Sequence, residues 1–178
     1  DLFNECTNLT SVSNPKSVKE IRSYVFRICT SLESISIPDS VIEVKEHAFD
    51  SCISLKKVKL SKGIDTISAY TFSKCLSLKK ITIPDNVIHI GEYAFQDCQS
   101  LKRIKLPNTV KDIGEGCFRN CVKLKKVVMS KKVEAINNYT FESCYALKKV
   151  KNTKQIEFVG HYAFKNCLKL RYIEFSYS

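Results

Sequence analysis

The 178-residue sequence predicts an α/β solenoid with a concave parallel β-sheet of about eight short strands and a convex side of short helical or 3₁₀ segments. One observation behind this is a period, because Phe, Cys and Leu each return every 23 residues through eight copies. The other is a change of pattern inside each copy, from alternating apolar residues to apolar residues three or four apart. Three sets of equivalent positions (columns) that recur with the same spacing indicate a repeat architecture. The Cys column contains Cys6, Cys29, Cys52, Cys75, Cys98, Cys121, Cys144 and Cys167.

The clearest repeat reads LKKITIPDNVIHIGEYAFQDCQS. Its Ile81 and Ile83 alternate with polar residues, which predicts a strand with one buried face. Pro84 ends this strand, because proline has no N–H to donate to a neighbour. Val87 and Ile90 then follow three residues apart, which favours a tight helical turn or short helix. One such unit cannot close a core alone, but stacked units can, with their strands parallel.

The repeat resembles the leucine-rich repeats, specifically the 23-residue BspA-like (Treponema-type) class. The family pattern, LxxIxIPxxVxxIGxxAFxxC, matches residues 78–98 almost position for position, and residues 101–121 nearly as well. The resemblance covers the chain as one domain over residues 1–178, with seven full repeats over 3–163 and a partial repeat over 164–178. It implies a right-handed, curved solenoid.

Two asparagines depart from this template. Asn14 and Asn152 stand in a column that otherwise holds apolar residues such as Ile83 and Leu106. Because an inward amide needs hydrogen-bond partners, we expect local irregularity and disruption of the strand at both positions.

Both ends of the chain lack a capping sequence, which repeat arrays use to cover their terminal cores. We therefore expect a fragment of a longer array, or end-to-end self-association with a second copy. The first residue is Asp1 rather than Met, which is compatible with a targeting segment that has been removed.

The composition is that of a folded, strongly basic domain. Apolar residues make up 44% and charged residues 26%, which excludes a disordered chain. No apolar run is long enough to span a bilayer. The formal net charge of +11 favours an acidic partner, such as a sulfated glycan or other polyanion, an anionic lipid surface or an acidic protein.

The positive charge is concentrated in three columns of the predicted strand. Side chains alternate in a strand, so Ile104 and Leu106 point inward, Arg103 and Lys105 point outward, and Lys102 lies beside them. In the five central repeats these columns supply 13 cations in 15 positions and no acid, and we expect them to bind a partner on the concave side. The thirteen residues of this basic face are Lys56, Lys57, Lys59, Lys79, Lys80, Lys102, Arg103, Lys105, Lys125, Lys126, Lys148, Lys149 and Lys151.

Two interpretations of the basic face stay open. An array of cations attracts polyanions, and solenoids bind ligands on their concave surface. Lysine is also a common filler that keeps exposed strands from pairing with one another. Nucleic acid ranks below proteins and glycans, because lysine dominates these columns and Tyr172 is their one aromatic residue.

The nine cysteines are interpreted as free, buried thiols. Stacked strands lie about 4.8 Å apart, so distance alone does not exclude disulfides. A ladder of side chains that point the same way, however, neither aims pairs of sulfurs at each other nor surrounds a zinc ion. We therefore expect no metal and no cofactor. Cys117 stands in a column of small residues, where it replaces alanine. Unpaired thiols fit a reducing compartment or an anaerobic surface.

The sequence does not predict an enzyme. The three histidines, His47, His89 and His161, lie in different repeats, and we expect none to meet a cysteine or carboxylate in a nucleophile–base pair. No phosphate-binding loop or HExxH motif is present. His47 replaces tyrosine in a Tyr column, which we interpret as an aromatic stack sealing the outer wall rather than as a partner stripe.

The predicted function is non-catalytic ligand binding through the concave face. The resemblance implies a cell-surface or secreted protein that adheres to host cells and to matrix proteins such as fibronectin and fibrinogen, with a protein or anionic glycan as ligand. The alternative is a cytoplasmic scaffold or regulator that docks an acidic protein, which the free thiols fit at least as well.

Overall fold

Two columns of short strands run through the computed structural model, which describes residues 2–13 and 15–176. The first column comes from the predicted strand of each repeat and the second from the segment after the proline corner. In chain order the strands are β1 (Glu20–Ile21), β2 (Ser34–Ser36), β3 (Glu43–Val44), β4 (Lys57–Lys59), β5 (Thr66–Ile67), β6 (His89–Ile90), β7 (Arg103–Lys105), β8 (Asp112–Ile113), β9 (Lys126–Val128), β10 (Ala135–Ile136), β11 (Lys149–Lys151) and β12 (Phe158–Val159).

In the part of the chain that the structure describes, the first column contains five strands instead of the eight predicted. They form a sheet of β2 and β4 and a sheet in the order β7–β9–β11, and all pairs are parallel. Ile104 pairs with Val127, which pairs with Val150, so the register advances by one repeat per strand. These three side chains are buried, which confirms the predicted inward face of the strand.

The second column stands where helical segments were predicted. Its seven two-residue strands form the parallel sheets β1–β3, β5–β6–β8 and β10–β12. Within residues 2–13 and 15–176 the chain contains no helix, so the prediction of convex helical or 3₁₀ segments is wrong.

The reason lies in two left-handed positions of each repeat. Tyr93 has φ 52° and Asp97 has φ 57°, and the same two columns have positive φ throughout the described repeats. The N–H of Tyr93 donates to Glu115 O and that of Asp97 to Arg119 O, both at 2.8 Å. A helix would direct these donors to carbonyls four residues back in the same repeat. Here they join each repeat to the next.

Phenylalanine rings form the centre of the core. Along the chain from Phe3 to Phe164, neighbouring rings stack with centroids 5.2–5.6 Å apart. The rings from Phe49 to Phe141 are fully buried. Burying one such side chain contributes roughly 1.5–3 kcal/mol, so the ladder is a main source of cohesion between repeats.

The cysteine column lies beside the phenylalanine ladder. Cys98 Sγ donates to Phe72 O in the previous repeat at 3.2 Å, and the same contact recurs from Cys29 to Cys167. Every cysteine is free, and the column is buried from Cys29 to Cys144, as predicted. Burial raises the pKa of the Cys29 thiol to about 11. These sulfurs are therefore packing groups and weak donors rather than nucleophiles.

The predicted disruption of the strand at Asn152 is wrong. Strand β11 continues through Lys151, and the irregularity follows it, where Asn152 adopts φ 59° and turns its side chain outward. The side-chain amide of Asn152 donates to Met129 O at 3.1 Å, so this side chain does not enter the core. The next residue, Thr153, is buried. Asn14, the other predicted irregular position, lies outside the described residues.

Candidate binding face

The strand register positions the basic face. Ile104 is buried between Arg103 and Lys105, which are both exposed, as the alternation of a strand requires. Arg103 pairs with Lys126, and Lys126 pairs with Lys149. Because paired residues share one side of a sheet, these cations form a ladder with rungs about 4.8 Å apart.

The basic face is open to solvent and almost free of acids. Twelve of its thirteen cations are exposed and Lys126 is half-buried. Among residues 2–13 and 15–176, Lys56 alone of the thirteen forms an ion pair, with Glu33 at 2.7 Å. Neighbouring rungs are closer than the Debye length of about 8 Å at physiological salt, so the cations repel one another and attract anions.

In the five repeats that carry the basic face, carboxylates lie on other parts of the repeat. Asp112 belongs to the second strand column, and Glu115 follows that column. The sorting of charge by face that the sequence predicted is therefore present. Whether the basic face binds a partner is a separate question, and its role as a site stays a prediction.

The first strand column is interrupted in the middle of the basic face. Residues 79–83 lie between β4 and β7 but form no strand. Their main-chain bonding to the neighbouring strands is reduced to one hydrogen bond, from Lys102 N–H to Lys79 O at 3.3 Å. Ile81 and Ile83 are nevertheless buried, so side-chain packing rather than a sheet ladder holds this segment.

Six cations from three consecutive repeats surround a groove of about 460 Å³ at this interruption. The lining residues are Lys56, Lys57, Lys79, Lys80, Lys102 and Arg103. A larger depression of about 770 Å³ lies at the other ends of the same strands, and its lining includes Asp85, Asn108 and Lys132. The first groove is thus lined by cations alone, whereas the second mixes both charges.

Two histidines lie beside carboxylates, which are contacts that the sequence analysis did not predict. His89 Nδ1 lies 2.6 Å from Asp112 Oδ2 in the neighbouring strand, and His47 Nδ1 lies 3.4 Å from Asp50 Oδ2. The 23-residue spacing of His89 and Asp112 was the signal that could have predicted the first pair. The hydroxyl that precedes His89 in the ladder, on Thr66, donates instead to Asp65 at 2.9 Å. The pair therefore has no activated nucleophile beside it.

The tyrosine column forms the predicted aromatic stack, with one interruption. Tyr24, His47, Tyr70 and Tyr93 stack with centroids 4.6–5.1 Å apart. Gly116 then interrupts the column, and the ring of Tyr93 leans into the space that a side chain there would fill. The stacked rings cover one another's faces, as in an aromatic stack along the outer wall.

The described residues, 2–13 and 15–176, contain no cluster of three or more His, Cys, Asp or Glu side chains that could hold a metal ion. In the same residues no helix is long and apolar enough to cross a membrane.

The parallel strands, the 23-residue register and the stacked Phe and Cys ladders define a leucine-rich-repeat β-solenoid. The family model for the BspA type leucine rich repeat region matches in six copies, over residues 1–80 and 65–178. The chain belongs to this family.

Solved structures share the fold. A leucine-rich repeat protein of Treponema pallidum is 36% identical and superposes with a TM-score of 0.83, over 86% of this chain and 72% of that one. This likeness supports a right-handed parallel β-solenoid of about six turns. A leucine-rich repeat protein from Bacteroides ovatus is 23% identical, with a TM-score of 0.53 over 94% of this chain and 61% of that one.

A leucine rich cell surface protein from Faecalibacterium prausnitzii is 24% identical, with a TM-score of 0.50 over 78% of this chain and 30% of that one. At these identities the Bacteroides and Faecalibacterium structures speak for the fold alone. No curated protein sequence matches the chain significantly. Leucine-rich repeats form a protein-interaction scaffold fold, and this chain is one such scaffold.

Proposed function

We propose that this chain is a non-catalytic binding module that takes an anionic macromolecule on its basic face. The observation that carries the proposal is the composition of that face, with thirteen cations in consecutive repeats and no acid among them. Twelve of these cations are exposed, and among the described residues only Lys56 has an ionic partner.

The geometry supports binding of an extended ligand. Five rungs spaced about 4.8 Å apart give a positive strip about 20 Å long. A charged strip raises the local concentration of oppositely charged partners and speeds their association. Solenoids offer such extended surfaces without any need for a closed pocket.

The setting we propose is a cell surface, in adhesion to a protein or glycan, as in the cell surface protein with the same fold. One observation favours a second candidate, an intracellular scaffold that docks an acidic protein. All nine cysteines are free, and unpaired thiols persist most readily in a reducing compartment.

Charge reversal tests the proposed function. We expect a variant with Glu at positions 57, 80, 103, 126 and 149 to lose binding in a screen of proteins and glycans at several salt concentrations. The matched control carries five reversals at exposed lysines outside the basic face, and it should retain most of the affinity. The control positions are Lys16, Lys19, Lys62, Lys74 and Lys111.

The two variants have the same net charge, so they separate a specific face from overall charge. Equal affinity of the parent and the basic-face variant for the best ligand would refute the proposed function. Equal losses of affinity in both variants would show that overall net charge, and not the basic face, determines binding.

A further inference from the structure

We infer that the groove at the centre of the basic face is a discrete subsite for a linear sulfated glycan that runs along the solenoid axis. The inference rests on the proposed function and narrows it in two ways. It places the strongest contacts in three consecutive repeats, and it names the chemical class of the ligand.

The location follows from the lining of the groove. Each of three neighbouring repeats supplies two adjacent cations, such as Lys79 and Lys80 in the middle repeat. The adjoining depression includes Asp85, which repels an anion. Within residues 2–13 and 15–176, the one carboxylate that pairs with a groove cation is Glu33, which meets Lys56 at the edge of the groove. Among the described residues, the cations that the second and third of these repeats contribute to the groove form no ion pair.

The interruption of the sheet coincides with this groove. Residues 79–83 keep one main-chain hydrogen bond to the adjacent strands, from Lys102 N–H to Lys79 O. Strands β4 and β7 therefore have no strand pairing with the segment between them. A segment held mainly by the burial of Ile81 and Ile83 can adjust its side chains to a ligand at lower cost than a fully bonded strand.

The chemistry of the lining favours a glycan over a folded protein. Protein interfaces concentrate their energy in buried aromatic, aliphatic and Arg anchors, and lysine is depleted there. The groove is lined by five lysines and one arginine, whose apolar stems form its walls, and by no aromatic or aliphatic residue. It also lacks the aromatic rings on which single-stranded nucleic acids stack. The lining of the groove therefore favours an extended ligand that is recognised mainly by its charge.

The rung spacing does not match the carboxylates of an extended acidic peptide. Rungs lie about 4.8 Å apart, whereas an extended acidic peptide presents side chains on one face about every 6.6 Å. A sulfate ester has three terminal oxygens and can accept from ammonium groups on two neighbouring rungs. Lysine suits this role because its ammonium acts as a compact point charge with three donors.

The test compares two triple variants of equal charge. The groove variant is K79Q/K80Q/K102Q, and the control K125Q/K148Q/K149Q changes three lysines of the same columns outside the groove. The probe is a heparin fragment of defined length, titrated calorimetrically at several salt concentrations. Polyglutamate of similar length, desulfated heparin and an oligonucleotide serve as competing ligand classes.

We expect the groove variant to bind heparin about tenfold more weakly than the parent, and the control to change by less than about threefold. With six groove contacts, the logarithm of affinity should fall with the logarithm of salt at a slope of about −4. In the groove variant the slope should become shallower by about 2.

Equal losses in both triple variants would overturn the discrete subsite and leave the proposed function intact. Tighter binding of polyglutamate or the oligonucleotide than of heparin would overturn the sulfated-glycan class. Undiminished heparin binding by the five-position charge-reversed variant would overturn the proposed function itself. The far-ultraviolet circular dichroism of all variants checks that the solenoid is intact.

Discussion

Cys117 permits a test of whether burial keeps the thiols neutral. The difference in unfolding free energy between the parent and Cys117→Ala should narrow as the pH rises and then change sign. The side chain of Cys117 is fully buried, and desolvation raises its pKa well above the ordinary value of 9.0. Its column holds Ala48, Ala94 and Ala163 in equivalent buried positions, so alanine fits the template there. The substitution Cys117→Ala therefore removes one titrating group at a small packing cost.

The magnitude follows from linkage. A group whose folded-state pKa is raised contributes full stability below its unfolded pKa and loses it as the pH rises toward the folded value. At pH 8 Cys117 is mostly neutral in both states, and Cys117→Ala should cost about 1 kcal/mol in lost packing. At pH 10 the unfolded thiol is mostly ionised, which destabilises the parent by about 1.4 kcal/mol relative to the variant. The variant should then be the slightly more stable protein.

The assay is urea unfolding at pH 8, 9 and 10 under reducing, oxygen-free conditions. Thr140→Ala in the same column is the matched control, because it removes a hydroxyl bonded to Asn137 O at 2.7 Å and no titrating group. Its cost should not change with pH. If the difference between the parent and Cys117→Ala stays constant within about 0.5 kcal/mol from pH 8 to 10, the thiol is not held neutral by burial.

Three further changes test the packing between repeats. Phe95→Ala should cost about 3–5 kcal/mol in chemical denaturation, because it opens a cavity in a fully buried ring ladder, and a cost below about 1 kcal/mol would contradict that role. Glu142→Gln should cost about 1–3 kcal/mol in the same assay, because the 9%-exposed carboxylate lies 2.7 Å from Arg119. The two groups form an ion pair without an aligned hydrogen bond. An unchanged urea midpoint would show that this ion pair does not stabilise the fold. Gly116→Ala should cost about 1–2 kcal/mol, because φ is +57° and the new Cβ would meet the Tyr93 ring at 2.1 Å, and the cost should shrink in a Tyr93→Ala background if that clash is its cause.

The sequence predicts the columns better than the backbone that connects them. The 23-residue spacing placed Phe, Cys and Leu in the core and Arg103 and Lys105 outside, since a repeat fixes which positions are equivalent. The spacing of apolar residues predicted the wrong element at Val87 and Ile90, because residues three apart also fit a helix. The chain instead forms β6 and turns at Tyr93 and Asp97 with positive φ. Aspartate is compatible with positive φ but tyrosine gives no sign of it, because the left-handed conformation is imposed by hydrogen bonds to the next repeat.

Two features of the candidate site cannot be predicted when each repeat is considered separately. The pair of His89 and Asp112 appears only when residues one repeat apart are compared as neighbours. The interruption at residues 79–83 has no sequence signal, because LKKITI has the clearest strand pattern in the chain. Nothing in the side chains of that segment explains why it leaves the sheet.

The strand pairing bears on the choice between a binding face and solvated filler. Lysine is useful as filler at a free strand edge, where it prevents pairing with another molecule. Lys126 lies on β9, whose two edges are occupied by β7 and β11, so that benefit is absent there. Like charges on adjacent rungs instead destabilise the free fold by a few tenths of a kcal/mol per pair. A bound polyanion would remove this repulsion and stabilise the folded state by mass action. Lysines at these paired positions therefore favour the proposed binding face over solvated filler.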